Sequence, residues 1–352
     1  MKLSELGEDG FLRELEKRLA PPAASVSVGV GDDAAVVSLP ADEQLILTTD
    51  SLVEGVHFER TTLPPRFIGR RAVAVAVSDI AAMGGELVSV LLSVAVPREL
   101  EVEMLWELVE GASERARGLS GSLVGGNLSR ISGPIVVDVT ACGHTVSRRV
   151  LCRSGARAGD ALYLSGKIGA SGVGLELLRR GVALGPSGAL IVPEALRRGP
   201  IALAEACIRA HIDPEPRIAL GRNLNRRRAA TACIDVSDGL VIDLTRLCRA
   251  SSVGARIEET ALPLSPGVLA WEREWGRDPL SRGLQSGEDY ELLFAVRDED
   301  RLAGLRQPGE PELTRIGEAT SEADRLEIVR RDGSVETLRP AGFNHFAPET
   351  SR

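Results

Sequence analysis

The segment RFIGRRAVAVAVSDIAAMGG (residues 66–85) is followed almost directly by LVSVLLSVAVP (residues 87–97), and together they indicate the fold class. The first segment is apolar nearly all round at helical spacing and ends at Gly84-Gly85, which predicts a buried helix with a glycine stop. The second segment is a continuous apolar run of strand length. Helix and strand patterns alternate through the N-terminal half with few hairpin signals, so we expect an α/β or α+β fold.

The aspartate in the predicted helix, Asp79, is flanked by Val73, Val75 and Val77 on one side and by Ile80 on the other. An ionised carboxylate in such surroundings is costly unless it is paired or bound to a metal ion. Asp79 is therefore a candidate functional residue.

Other oxygen-bearing side chains recur at strand ends, beside Ser, Thr or Gly. They are Asp32 and Asp33 in VGVGDDAAVV, Asp50 in LTTDSLVEGVHF, Asn127 in VGGNLSR, Asp235 and Asp238 in IDVSDG, and Glu288 and Asp289 in SGEDYE. Any one of them is most often a helix cap or a turn residue. As a set, without soft ligands, they favour Mg²⁺ or Mn²⁺ over zinc, and spacing alone does not name the reaction.

The length of 352 residues favours two domains. The basic, glycine-bearing stretch RVLCRSGARAGD (149–160) marks the expected junction, which gives domains at 1–150 and 151–352. The first element of the chain is expected to be a short helix containing Leu12, Leu15 and Leu19, and residues 185–200 have the least regular pattern.

The composition excludes several classes of function. A net charge of −8 and 3% aromatic residues argue against nucleic-acid binding. Five cysteines without a C-x-x-C pair argue against zinc and a disulfide framework. The first fifteen residues lack an apolar signal segment and no run is long enough to cross a membrane, so we expect a cytoplasmic protein without a membrane partner.

Familiar nucleotide-binding loops are missing. LSGKIGASG lacks the full phosphate-loop pattern, and VGVGDD lacks the third glycine of a dinucleotide fingerprint. Because lysine is scarce, neutralising a nucleotide's phosphates would fall to metal ions and to arginines such as Arg153.

The ordered motifs resemble those of the thiamine-monophosphate kinases, within the superfamily that includes aminoimidazole ribonucleotide synthetase. The resemblance spans Leu6 to Phe346 and is carried by GVGDDAAVV, LTTDSLVEGVHF, AVAVSDIAAMGG, LVGGNLSR, CRSGARAGD, IDVSDGLVIDL, SGEDYELLF and GFNHF. It implies a two-domain synthetase-like fold, with an N-terminal half whose strands form a barrel across a homodimer and an α/β C-terminal half.

The resemblance also implies a role for each matched residue. The implied ligands of several Mg²⁺ ions are Asp33, Thr48, Thr49, Asp50, Asp79, Asn127, Asp235 and Asp238. Of these, Asp33, Asp50, Asp79 and Asp235 are the implied catalytic carboxylates. Nucleotide contacts are implied for Gly126, Asn127, Arg153 and Ser237, and contacts to thiamine phosphate for His57, Glu288 and Phe343. Asn127 departs from the aspartate common at its position, which removes one charge from that metal site.

The implied reaction is phosphorylation of thiamine monophosphate by ATP, giving thiamine diphosphate and ADP. A phosphate acceptor is already ionised at neutral pH, so a site rich in Asp and poor in His and Lys suits direct, Mg²⁺-assisted, in-line transfer. Two alternatives remain: another ATP-dependent enzyme of the superfamily, similar to aminoimidazole ribonucleotide synthetase, or a non-catalytic nucleotide- or metal-binding protein. Asp32 is expected to be a second metal contact or a turn-stabilising acceptor, less important than Asp33.

Overall fold

A computed structural model describes seven ranges of the chain: residues 26–28, 35–38, 44–98, 100–145, 149–185, 189–306 and 309–343. The expected helix around Leu12 and the pair Asp32-Asp33 lie outside these ranges. Within them the chain forms two large mixed sheets with helices packed against them, and a small two-stranded antiparallel sheet. The predicted mixed α/β, two-domain fold is therefore confirmed.

Eight α-helices are found in the described residues. They are α1 Pro65–Ala82, α2 Val102–Gly118, α3 Ala170–Arg179, α4 Ile201–Ile212, α5 Ile218–Arg226, α6 Leu240–Ser251, α7 Pro266–Glu274 and α8 Pro279–Gln285. None of these helices has the length and apolar character needed to cross a membrane.

The strands fall before and after the 149–160 stretch. The first group is β1 Val26–Val28, β2 Ala35–Ser38, β3 Gln44–Val53, β4 Glu86–Pro97, β5 Ser122–Ile131 and β6 Val136–Thr145. The second is β7 Ala161–Ser165, β8 Ala183–Leu184, β9 Leu190–Ile191, β10 Ala232–Asp235, β11 Gly254–Glu258, β12 Leu292–Val296, β13 Leu313–Thr320, β14 Leu326–Val329 and β15 Val335–Thr337.

The first sheet has the strand order β1-β2-β3-β6-β4-β5, and only β4 and β5 are parallel neighbours. Its inner face packs on α1, whose residues are buried along most of the helix, as the apolar run predicted. The helix ends at Ala82, before Gly84 in the left-handed conformation. Neither this sheet nor the second one closes into a barrel within the described part of one chain.

The second sheet has the order β10-β12-β7-β13-β11-β14-β15 and is antiparallel except for the β11–β14 pair. Its edge strand β10 ends at Asp235, against α1 of the first half. Two side-chain contacts link α1 to the second half: Arg70 pairs with Asp213, which follows α4, at 2.7 Å, and Ser78 donates to Asp235, at the end of β10, at 2.6 Å. Helix α1 therefore packs against the first sheet and also against strand β10 of the second sheet.

The sequence SLVGGNLSR predicts a strand that runs into a glycine turn, and this prediction is wrong, because β5 continues through both glycines to Ile131. The backbones explain the residue choice, because a Cβ on Gly126 would lie 1.7 Å from the carbonyl oxygen of Leu92 on the neighbouring strand. Gly126 is thus required by close strand packing.

Candidate functional site

Helix α1 brings two of the predicted carboxylates together near its C-terminal end. Thr48 of β3 donates a short hydrogen bond to Asp79, and Ser78, the preceding residue, donates to the buried Asp235. Asp79 and Asp235 therefore lie on either side of the boundary between the two halves of the chain, each held by a hydroxyl. This arrangement gives a hydroxyl partner to the buried Asp235 and to the half-buried Asp79.

A cavity of about 910 Å³ opens beside this cluster and takes its lining from both halves of the chain. Predicted site residues in its wall are Thr49, Asp50, His57, Ser237, Asp238, Glu288 and Phe343. Arg179 and Arg282 add positive charge to the same wall. The cavity thus combines the predicted metal and phosphate side with the predicted thiamine side.

The loop between β10 and α6 is held by a residue that the sequence interpretation did not single out. One oxygen of the fully buried Asp243 accepts the backbone N–H groups of Ser237, Asp238 and Gly239 at 3.0, 3.0 and 3.2 Å. Arg246 bridges the other Asp243 oxygen, at 2.8 Å, to Asp238, at 2.5 Å. The amide of Ser237 is therefore already engaged within the loop.

The SGEDYE turn packs directly on that loop. A Cβ on Gly287 would lie 2.2 Å from the carbonyl oxygen of Ser237, so only glycine fits this crossing. The amide of Glu288 then donates to the same carbonyl at 2.7 Å. Glu288 and Tyr290 both have left-handed backbones, with φ of 65° and 51°, a conformation that is costly for residues with side chains and is often found at functional sites.

The cavity-lining carboxylate Glu288 has a strongly altered pKa. Burial disfavours its ionised form, but the Arg71 guanidinium and His211 outweigh burial and hold the pKa of Glu288 well below its usual range. Burial and Arg71 in turn lower the pKa of His211, against the opposing effect of Glu288. At neutral pH we therefore expect an ionised Glu288 beside a neutral His211.

The other acidic residues of the SGEDYE turn, Asp289 and Glu291, make contacts that hold the turn in place. Asp289 accepts the backbone amides of Gly169 and Ser171 at the start of α3, at 2.7 and 3.4 Å, and burial raises its pKa to about 8. Glu291 is buried and pairs with Arg217 at 2.7 Å. Burial and the nearby Glu288 raise the pKa of Tyr290 well above its ordinary value.

Two predicted substrate-side residues are fixed through the backbone. The Nδ1 atom of His57 accepts the amide of Val53 at 3.0 Å. The amide of Phe343 donates to the carbonyl oxygen of Asp238 at 2.9 Å, and its ring is 41% exposed beside the cavity. The remainder of GFNHF after Phe343 lies outside the described residues, as does Asp33.

Three predicted nucleotide contacts lie away from the cavity in a single chain. Gly126 and Asn127 are exposed on edge strand β5, which is separated from β3 by two strands. At about 4.8 Å per strand, that spacing is roughly 14 Å. Arg153 lies in the segment between the two sheets, where its carbonyl oxygen accepts Ser251 Oγ at 2.9 Å.

The donor set fits a hard cation. Thr48, Thr49, Asp50, Asp79 and Asp238 offer only oxygen atoms, the ligands that Mg²⁺ prefers. Within the described ranges, however, no three His, Cys, Asp or Glu side chains are grouped as a metal site. Mg²⁺ in phosphoryl-transfer sites is commonly held by one or two carboxylates and by substrate phosphates, so the two observations are compatible.

Sequence reasoning missed Arg71, His211 and Asp243. Arg71 had a signal, since a charged residue inside a helix expected to be buried all round requires a counter-charge. His211 had none, because its partner is distant along the chain. Asp243 had a weak signal in its position four residues after Gly239, typical of a side chain that accepts loop amides at a helix start.

Comparison with known families first defines the class. Residues 31–145 match the family described as AIR synthase related protein, N-terminal domain, and residues 157–329 match its C-terminal domain. The two matches correspond to the two sheets and the helices around them, and they make the chain an AIR synthase-related protein.

Individual relatives narrow the class. The chain is 35% identical to the thiamine-monophosphate kinase of Synechococcus elongatus, covering 98% of both proteins, and 32% identical to that of Rhodopirellula baltica, covering 96% of this chain and 97% of the relative. The solved structure described as AaThiL complexed with AMPPCP and TMP superposes with a TM-score of 0.82 at 33% identity, covering 98% of this chain and 99% of that one. The chain belongs to the thiamine-monophosphate kinase family, and the expectation of a kinase is confirmed.

Proposed function

We propose that the chain phosphorylates thiamine monophosphate at the expense of ATP, giving thiamine diphosphate and ADP. The observation that carries the proposal is the 910 Å³ cavity, in which Asp50 and Asp238 share a wall with His57, Glu288 and Phe343. The related structure described as holding AMPPCP, an ATP analogue, and TMP supports the same pair of substrates.

In the proposed reaction an oxygen of the acceptor phosphate forms a bond to the γ-phosphorus, the bond from that phosphorus to the β,γ-bridging oxygen breaks, and ADP leaves with the electron pair. No general base is required, because the acceptor oxygen is already ionised. We propose direct transfer, without a phosphorylated protein intermediate. Rapid-quench experiments that trap a phosphoprotein would contradict it.

The difficulty of this reaction is the approach of two anions. We propose that several Mg²⁺ ions, when bound, neutralise phosphate charge and hold the reacting oxygens. Their proposed ligands are the residues that the sequence indicated: Asp33, Thr48, Thr49, Asp50, Asp79, Asn127, Asp235 and Asp238. The hydroxyls that hold Asp79 and Asp235, from Thr48 and Ser78, keep those two carboxylates oriented.

Other residues of the chain are proposed to contact the nucleotide and the thiamine monophosphate. Ser237, Gly126 and Arg153 are proposed nucleotide contacts. Phe343 presents an aromatic face that suits stacking on a thiamine ring, and Glu288 presents a carboxylate oxygen beside it. His57, oriented by the amide of Val53, completes the proposed substrate side.

We further propose that the protein works in the cytoplasm as a homodimer whose N-terminal strands form a barrel across the interface, with a domain boundary near residue 150. Strand β5 supports the dimer, because it is an edge strand with nearly all residues exposed, including Val124 and Leu128 at 60% each. An exposed apolar edge is normally covered by another chain. A dimer would also bring a partner strand next to the otherwise remote Gly126 and Asn127.

The decisive experiment measures ADP release from ATP and Mg²⁺ with and without thiamine monophosphate. We expect release to depend on thiamine monophosphate and product analysis to identify thiamine diphosphate. ADP release that is the same with and without thiamine monophosphate would refute the proposal.

Light scattering on the same sample tests the proposed homodimer. A monomer at all micromolar concentrations would refute the proposed dimer.

A further inference from the structure

Arg71 is a buried cation with an incomplete set of partners. Its side chain is fully buried in α1, and one guanidinium nitrogen, Nη2, pairs with Glu288. Its Nε and Nη1 atoms are shielded from solvent and have no hydrogen-bond partner among the described residues. A guanidinium stays protonated in proteins, so its burial is costly without a counter-charge. The Glu288 carboxylate supplies that charge.

Glu288 is fixed from three directions. Arg71 engages Oε1, while Oε2 lies 3.3 Å from Nδ1 of His211. His211 is itself buried and lies 3.0 Å from Ser171 Oγ. The left-handed backbone of Glu288 is tied to the carbonyl oxygen of Ser237. The carboxylate therefore meets the cavity in one orientation, while Arg71 and His211 hold it from two sides.

Arg71 does not line the cavity, whereas Glu288 and His211 do. We propose that Arg71 is a positioning residue for recognition of the acceptor: it orients the Glu288 carboxylate toward the thiamine part of thiamine monophosphate, without touching the substrate. The inference rests on the proposed function, because it needs Glu288 to face that substrate.

The charge balance defines what Glu288 offers. The Arg71–Glu288 pair is neutral as a unit, so the carboxylate is balanced from the protein side. Toward the cavity it then works mainly as an oriented hydrogen-bond acceptor, with lone pairs left over after Arg71 and His211. Its position, which Arg71 sets, matters more than its bare charge.

A purely structural role for Arg71 makes a different prediction. The pair joins α1 of the first half to a turn of the second half, so it also contributes to stability. Arg70, the preceding residue on the same helix, makes a comparable contact by pairing with Asp213 of the second half at 2.7 Å, away from the cavity. Arg70→Met is therefore the matched control for losing an ion pair between α1 and the second half.

The test compares steady-state kinetics of wild type, Arg71→Met, Arg71→Lys, Glu288→Gln and the double variant Arg71→Met/Glu288→Gln with thiamine monophosphate and ATP. We expect Arg71→Met to raise KM for thiamine monophosphate at least tenfold, with KM for ATP changed less than threefold. Arg71→Lys should recover part of the loss. Arg70→Met should leave both KM values within threefold of wild type.

The double variant separates positioning from structure. Because Arg71 acts through Glu288, adding Arg71→Met to Glu288→Gln should raise KM for thiamine monophosphate less than twofold further. Multiplying effects, or equal rises in both KM values, would overturn the inference. If Arg71→Met does not fold, the same comparison is made with Arg71→Lys in both backgrounds. A wild type that ignores thiamine monophosphate would instead refute the proposed function, before any variant is measured.

Discussion

The contact between the two acidic turns makes Gly287→Ala the most informative single substitution. The added Cβ would lie 2.2 Å from the carbonyl oxygen of Ser237 and 2.9 Å from two backbone atoms of Asp238. Real Cβ atoms rarely approach a neighbour closer than 3.0–3.4 Å, so the turns must separate by about 1 Å. The atoms in the way are backbone atoms, which no side-chain rotation relieves.

A displacement of about 1 Å in groups that position substrate can cost roughly 100-fold in rate. We therefore expect Gly287→Ala to lower kcat/KM for thiamine monophosphate by about two orders of magnitude. Overpacking should also cost about 1–3 kcal/mol of unfolding free energy, which urea denaturation would measure. The cause is the shift of Ser237 and Glu288 relative to each other.

Gly118→Ala is the matched control, because a Cβ there meets nothing within 4 Å and the backbone φ is not positive. It should leave kcat/KM and stability close to wild type. If Gly287→Ala retained activity within threefold of wild type, the close packing of the two turns would not matter for the reaction, and the reasoning would be refuted.

Three further predictions concern the buried polar contacts and the metal. Ser78→Ala should cost about 2 kcal/mol of unfolding free energy, because it removes a buried hydrogen bond and leaves the buried Asp235 carboxyl group with one donor fewer; a loss below about 0.5 kcal/mol in urea denaturation, on the order of a surface change, would contradict this. Burial raises the pKa of Asp289 to about 8. Between about pH 4 and 8 this carboxyl group therefore binds more protons in the folded chain than in the unfolded chain. Its contribution to the free energy of unfolding consequently falls as the pH rises through that range. Asp289→Asn should flatten that decline in thermal unfolding, and parallel pH curves for variant and wild type would argue against it. Removing divalent cations with EDTA should abolish ADP release and adding Mg²⁺ should restore it, whereas full activity in EDTA would exclude the proposed metal role.

Much of the fold was accessible from local patterns. The apolar run at 66–85 and its glycine stop predicted α1, because a helix that is buried on all sides must carry apolar residues on all sides. The turn predicted at the glycines of β5 was wrong, because Gly126 is required by the close approach of the Leu92 carbonyl oxygen on the neighbouring strand. This contact lies between two strands, so the local sequence pattern does not contain it. Helix α1 also packs against β10, and this approach depends on how two distant halves of the chain meet.

The same distinction between local patterns and long-range contacts applies to the candidate site. Asp50, Asp238 and Glu288 were predicted together from their motifs, and all three line one cavity. The cations and imidazole around Glu288 were not predicted, since Arg71 and His211 are 217 and 77 residues away and come from separate helices. Only the complete fold brings them together.

The acidic turns contain more carboxylates than phosphoryl transfer requires, and their partners explain the surplus. At the β10–α6 loop, Asp243 in the first turn of α6 accepts three backbone amides, while Asp238 lines the cavity. In the SGEDYE turn, Asp289 and Glu291 are engaged by Gly169, Ser171 and Arg217 while Glu288 faces the cavity. Each turn thus combines carboxylates that hold the backbone with one that lines the cavity. Replacing an acid that holds the backbone of either turn should therefore displace the cavity-lining acid of the same turn as well.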